Sequence, residues 1–176
     1  MNQCIVLSAI GNDRPGIVSE LSGDINKWGG NIADSRMTVL GGEFALILLV
    51  EGSESAIKEI EQNIDDLQQR LSLTIICRRT GRGGPKQSGV PYAIEVVAMD
   101  HPGIVSDIAR FLSSRGINIQ DMDTHSYAAA HTGTPMFALT MTVSIPADQS
   151  IAVLRQAFKS YCDDLNMDAT LEPLRE

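Results

Sequence analysis

The sequence contains itself twice. Asp13-Arg14-Pro15-Gly16-Ile17-Val18-Ser19 recurs 87 positions later as Asp100-His101-Pro102-Gly103-Ile104-Val105-Ser106. A second block, Gly29-Gly30-Asn31-Ile32-Ala33-Asp34, recurs at the same offset as Gly116-Ile117-Asn118-Ile119-Gln120-Asp121. A third, Phe44-Ala45-Leu46 against Phe137-Ala138-Leu139, requires six extra residues in the second copy. This period is too long for a solenoid unit and suits a small domain. The chain is therefore read as two copies of one α/β module, with domains at 1–80 and 91–176 and a linker at 81–90. Each copy is small enough that its core should lean on another module, in this chain or in a second one.

Apolar periodicity gives the module its order. Residues 3–10 form a β-rich run that Gly11-Asn12 ends. Asp13 then sits near a helix cap, with Pro15 in the first turn, where its missing N–H costs nothing. Ile17, Val18, Leu21, Ile25 and Trp28 follow at helical spacing. Residues 31–40 and 43–51 read as strands joined by Gly41-Gly42, a strong hairpin cue. Ile57, Ile60, Ile64 and Leu67 mark a second helix, and 71–78 a last strand. The second copy repeats this order from 91, with a longer hairpin loop, 128–135, that carries His131. The expected fold is α+β: two ferredoxin-like βαββαβ domains, each a four-stranded antiparallel sheet with two helices on one face.

Charge narrows the partners. The 176 residues carry a net charge of −8, which argues against direct contact with DNA or RNA, whose affinity rests on Lys and Arg. The one basic cluster, Arg78, Arg79, Arg82 and Lys86, falls at the linker. Three scattered cysteines without CxxC spacing suggest reduced thiols in the cytosol. No leader opens the sequence and no apolar run is long enough to span a membrane, so a cytoplasmic location is expected.

The repeated turn carries the chemistry. Gly16 and Gly103 permit a sharp bend and close approach of a ligand. The amides of Gly16, Ile17 and Val18, and of Gly103, Ile104 and Val105, open a helix and lack partners within it, which makes a seat for a carboxylate. Asp13 and Asp100 can accept from an ammonium. Asn31 and Asn118, at the start of the neighbouring strand, offer donor and acceptor together. Placed a few ångströms apart, these groups suit a zwitterion such as a free amino acid. A helix cap, a helix start and a turn would use the same residue types, so a purely structural reading stays open.

The Asp-x-Pro-Gly turn after the first strand and the Asn-Ile start of the second resemble the ACT domain, a family of amino-acid-sensing regulatory modules, over nearly the whole chain. That resemblance implies a βαββαβ fold and an amino acid held against the turn at an interface between paired modules. It implicates Asp13, Arg14, Gly16, Ile17, Val18, Asn31 and Ile32 in the first copy. In the second it implicates Asp100, His101, Gly103, Ile104, Val105, Asn118 and Ile119. Two such modules with nothing else resemble stand-alone tandem ACT regulators. This implies a non-enzymatic, homodimeric repressor of transcription with glycine as its favoured effector, acting through a DNA-binding activator protein rather than on DNA. A ligand-independent adaptor and a regulatory module of a metabolic enzyme are the alternatives. No cofactor or metal is expected, since none of His101, His125 and His131 has a ligand-spaced partner, and Gly81-x-Gly83-Gly84 lacks the frame of a phosphate loop.

Overall fold

In the computed structural model, residues 3–81 and 89–174 are described. The chain divides into two compact units, Met1–Pro85 and Lys86–Glu176. The first unit runs β1 (Gln3–Asn12), α1 (Ile17–Lys27), β2 (Asn31–Leu40), β3 (Glu43–Gly52), α2 (Glu54–Leu71) and β4 (Thr74–Thr80). The second runs β5 (Gly89–Met99), α3 (Ile104–Ser113), β6 (Asn118–Ala128), β7 (Pro135–Pro146), α4 (Ile151–Asp164) and β8 (Asp168–Pro173). Each sheet has four antiparallel strands, in the orders β2-β3-β1-β4 and β6-β7-β5-β8. The fold is α+β and ferredoxin-like in both copies.

Several expected ends move. Gly11 and Asn12 continue β1 because Phe44 and Glu43 still pair with them. Leu71 belongs to α2, whose end is set by Ser72 in the left-handed region at φ 54°. Arg79 and Thr80 lie in β4, and Gly89 and Val90 in β5. Most of the expected linker, with Arg82, Lys86 and Gly83-Gly84, lies outside the described residues. Gly41 and Gly42 both take positive φ, 61° and 86°, the geometry of a two-residue turn whose twist matches its strands.

One face of each sheet is the core. Ile5, Leu7, Leu48 and Val50 pack under Ile17, Leu21, Ile57 and Ile60 in the first unit. Ile94, Val96, Met141 and Val143 pack under Ile108, Phe111 and Phe158 in the second. The strand registers set out the opposite, open face. In the first sheet its rows across β2, β3, β1 and β4 read Asp34–Leu49–Val6–Arg78, then Arg36–Ile47–Ser8–Ile76, then Thr38–Ala45–Ile10–Thr74. In the second, across β6, β7, β5 and β8, they read Asp121–Thr142–Ala93–Glu172, then Asp123–Thr140–Glu95–Thr170, then His125–Ala138–Val97–Asp168. A matching bulge, at Ala33 and at Gln120, interrupts each edge strand two residues in.

Candidate functional site

The repeated turn links β1 to α1 and β5 to α3. In both copies the N-cap is the glycine, Gly16 at φ 93° and Gly103 at φ 107°, with no side chain capping the helix. This rules out the purely structural reading in which Asp13 caps α1. Pro15 likewise stands ahead of the cap rather than in the first helical turn. Only glycine adopts this left-handed backbone without strain. Its carbonyl accepts the first helical bond, from the Glu20 amide at 2.9 Å and from the Asp107 amide at 2.9 Å. The amides just before those, at the helix start, have no helical acceptor and carry the positive end of the helix dipole.

Each turn is braced against its hairpin. The Asp13 amide donates to the Gly42 carbonyl at 3.2 Å, and the Asp100 amide to the Pro135 carbonyl at 2.9 Å. The surroundings then diverge. Arg14 donates to Glu20 through both terminal nitrogens, at 2.6 and 3.2 Å, and to the Pro15 carbonyl at 3.3 Å. The hydrogen bond from Arg14 holds the Glu20 carboxyl below its usual range. A methyl group built on Gly16 would lie 3.2 Å from Glu20 and 3.8 Å from Arg14, so the pair stands close over the turn. In the second copy His101 Nδ1 is 3.1 Å from the Pro102 carbonyl, and Asp107 pairs along the helix with Arg110 at 3.2 Å. Asp100 accepts from the Ser126 hydroxyl at 3.0 Å, which ties its carboxylate to β6.

The remaining candidates fall into two groups. Ile17 and Ile104 are 1% and 2% exposed, so their side chains belong to the core and only their backbone can face a ligand. Val18 is exposed and Val105 half-buried. Asn31 and Asn118 do not stand near the turns of their own modules, contrary to the expected few ångströms. Asn31 is level with Glu51 and Cys4, at the start of β1, whereas Asp13 follows the end of β1. Eight strand steps put the two blocks roughly 26 Å apart. Asn118, level with Ser144 and Pro91, is separated from Asp100 in the same way. Antiparallel pairing of β2 and β6 with their neighbours forces this separation. Asn118 and Ile119 instead line an open groove with Ser106, Arg110 and Ser113 of α3. Sequence reasoning missed Glu20, Asp107 and Ser126. The first two occupy matching repeat positions as a conserved pair of acids within this chain, which was the available signal.

Comparison with known proteins fits this geometry. ACT-domain models match residues 3–78 and 92–127. The second match stops within β6, and β7, α4 and β8 complete the same order beyond it. The chain is 29% identical over 167 residues to the glycine cleavage system transcriptional repressor of Escherichia coli (strain K12), covering 95% of this chain and 88% of that protein. The same figures hold for the repressor of that name from Shigella flexneri. A solved structure of an unknown protein from Galdieria sulphuraria superposes with a TM-score of 0.82 at 26% identity, covering 99% of this chain and all of that one. Two modules of one topology, each with its glycine-capped turn and each matched by an ACT model, place the chain in the ACT-domain family as a tandem pair.

Proposed function

We propose that the protein is an amino-acid-responsive regulator, a repressor of glycine cleavage system transcription that acts through a DNA-binding partner protein and catalyses nothing. The observation that carries this reading is the similarity to repressors of that name along 95% of the chain. Relationship to a transcriptional repressor supports a regulatory role in its own right. The net charge of −8 agrees with an indirect action, since a DNA-binding face is basic.

The effector in this reading is a small zwitterion, with glycine favoured. Free amides behind Gly16 and Gly103 would take its carboxylate, and Asp13 or Asp100 its ammonium. Because the Asn31 and Asn118 blocks stand at the far end of their own sheets, the turn and its aspartate would hold the effector without the asparagine of the same module. Effector binding would then favour one pairing of modules over another, which is what a partner protein can read. A ligand-independent adaptor is the competing reading, and the Arg14–Glu20 pair standing over the first turn is the observation in its favour.

The test is thermal unfolding with and without amino acids. A ligand at ten times its Kd adds roughly 1.4 kcal/mol. Glycine should raise Tm, and the double variant Asp13→Ala with Asp100→Ala should abolish the rise. If none of the common amino acids moves Tm at millimolar concentration, the sensor reading fails. Co-purification of a DNA-binding protein in an amino-acid-dependent manner separates a sensor from an adaptor.

A further inference from the structure

The two open sheet faces carry opposite chemistry. On the first, Ile10, Ile47 and Ile76 are 51%, 46% and 67% exposed, an apolar patch reaching from the central strands to β4. Its cations stand on the two edge strands, Arg36 on β2 and Arg78 on β4. Arg36 holds Asp34 at 2.7 Å, while Arg78 has no ion-pair partner among the described residues. On the second face five carboxylates, Asp121, Asp123, Glu95, Asp168 and Glu172, stand exposed. Among the described residues no Lys or Arg stands in those rows. Arg155, on α4, reaches Glu172 from the side at 3.3 Å. Val97 and Met99, 36% and 63% exposed, continue the acidic face as an apolar end.

We propose that two copies of the chain associate through these faces, the open face of the first sheet in one chain packing on the open face of the second sheet in the other. A chain that carries both halves of a complementary pair finds its partner in any second copy. Where a two-fold axis makes the contact twice, neither face is left uncovered and the assembly closes as a dimer. Packed sheets lie about 10 Å apart with their strands within about 30° of each other, a geometry that buries central side chains and leaves edge residues at the rim. The isoleucines and Val97 would then supply the dry centre. The arginines and aspartates on the edge strands would fix register and steer encounter. Size permits it: four strands of about ten residues give a face of roughly 600 Å². Two contacts, each with two faces, bury roughly 2,400 Å², above the ~1,600 Å² of a standard interface.

Sedimentation velocity on the full chain tests this. Wild type should be a dimer whose dissociation constant rises with salt, since rim charges are screened. Arg36→Glu with Arg78→Glu makes both faces acidic, and Asp121→Arg, Asp123→Arg and Asp168→Arg together set three arginines against Glu95 and Glu172 and make both basic. Each variant alone should dimerise at least about tenfold more weakly. Mixed one to one, the two should form a heterodimer of wild-type size, because every contact then joins opposite charges. That recovery also shows that neither variant had misfolded. A monomeric wild type, variants that dimerise as tightly as wild type, or a mixture that stays monomeric would each overturn the proposal. None of these readouts depends on amino-acid binding, which the thermal shift measures separately.

Discussion

At the first turn Arg14 reaches over the helix start and grips both oxygens of Glu20, at 2.6 and 3.2 Å. At the second, His101 folds back on its neighbour's carbonyl and Asp107 turns away to Arg110. The backbones are the same, with glycine caps at φ 93° and 107°. Histidine in place of arginine, and an acid one methylene shorter, leave the second helix start without the bridge. Duplication kept the part that demands a particular backbone and let the electrostatics in front of it diverge. The helix pairs tell a similar story. In the first unit Arg70 of α2 pairs with Asp24 of α1 at the surface. In the second, Phe111 of α3 meets Phe158 and Tyr161 of α4 at centroid distances of 5.2 and 5.0 Å, and the Tyr161 hydroxyl donates to the Asp107 carbonyl at 3.2 Å.

The largest expected break is in the helix pairs. Phe158, 1% exposed, should cost about 3–5 kcal/mol when changed to Ala, as a buried aromatic does. Asp24→Ala should cost a small fraction of that, because a solvent-facing ion pair contributes little. Chemical denaturation of both variants checks the contrast, and equal losses would mean that the surface pair matters as much as the aromatic cluster. Next come the caps. Gly16→Ala and Gly103→Ala should each lose about 1–2 kcal/mol from left-handed strain. Gly16→Ala should lose the more, since its new methyl lies 3.2 Å from Glu20 against 3.6 Å from Asp107 at the other turn. A smaller effect separates the two cradles. Arg14→Ala should increase the glycine-induced rise in Tm by opening the first turn, while His101→Arg with Asp107→Glu should reduce it. An unchanged shift in both variants would show that the bridge does not gate the turn.

The smallest effect is in pH. Hydrogen bonds from Arg79 hold the Glu54 and Glu61 carboxyls below their ordinary 4.5, and Arg14 does the same for Glu20. A depressed folded pKa gives stability that is present above 4.5 and lost as pH falls through the depressed values. These pairs belong to the first unit, so acidification below pH 4.5 should lower its unfolding transition more than that of the second. They are exposed and screened, so high salt should shrink the difference.

Much of this was legible in the residues. Spacings of three and four gave all four helices, strand runs and the Gly41-Gly42 pair gave the first hairpin, and the 87-residue offset gave the duplication and with it the second hairpin. These are local signals, carried by periods that any helix or strand obeys. The candidate site was less legible. Asp13 and Asn31 look like neighbours because the chain returns to the sheet at Asn31, yet it returns at the opposite end. Strand direction follows from long-range pairing, to which a local pattern is blind. Arg14 and Glu20 were both visible, but nothing in their spacing of six says that one grips the other.

The sequence alone determined that this chain makes one βαββαβ module twice and opens each first helix with a glycine-led turn, because hydrophobic period and backbone permission are properties of short segments. Tertiary structure alone decided which groups share a neighbourhood: it parted each turn from its own asparagine and set an arginine bridge over one turn only. It also left one open sheet face apolar with arginine edges and the other acidic. Proximity across a sheet depends on register and strand order, which arise only when distant segments pair.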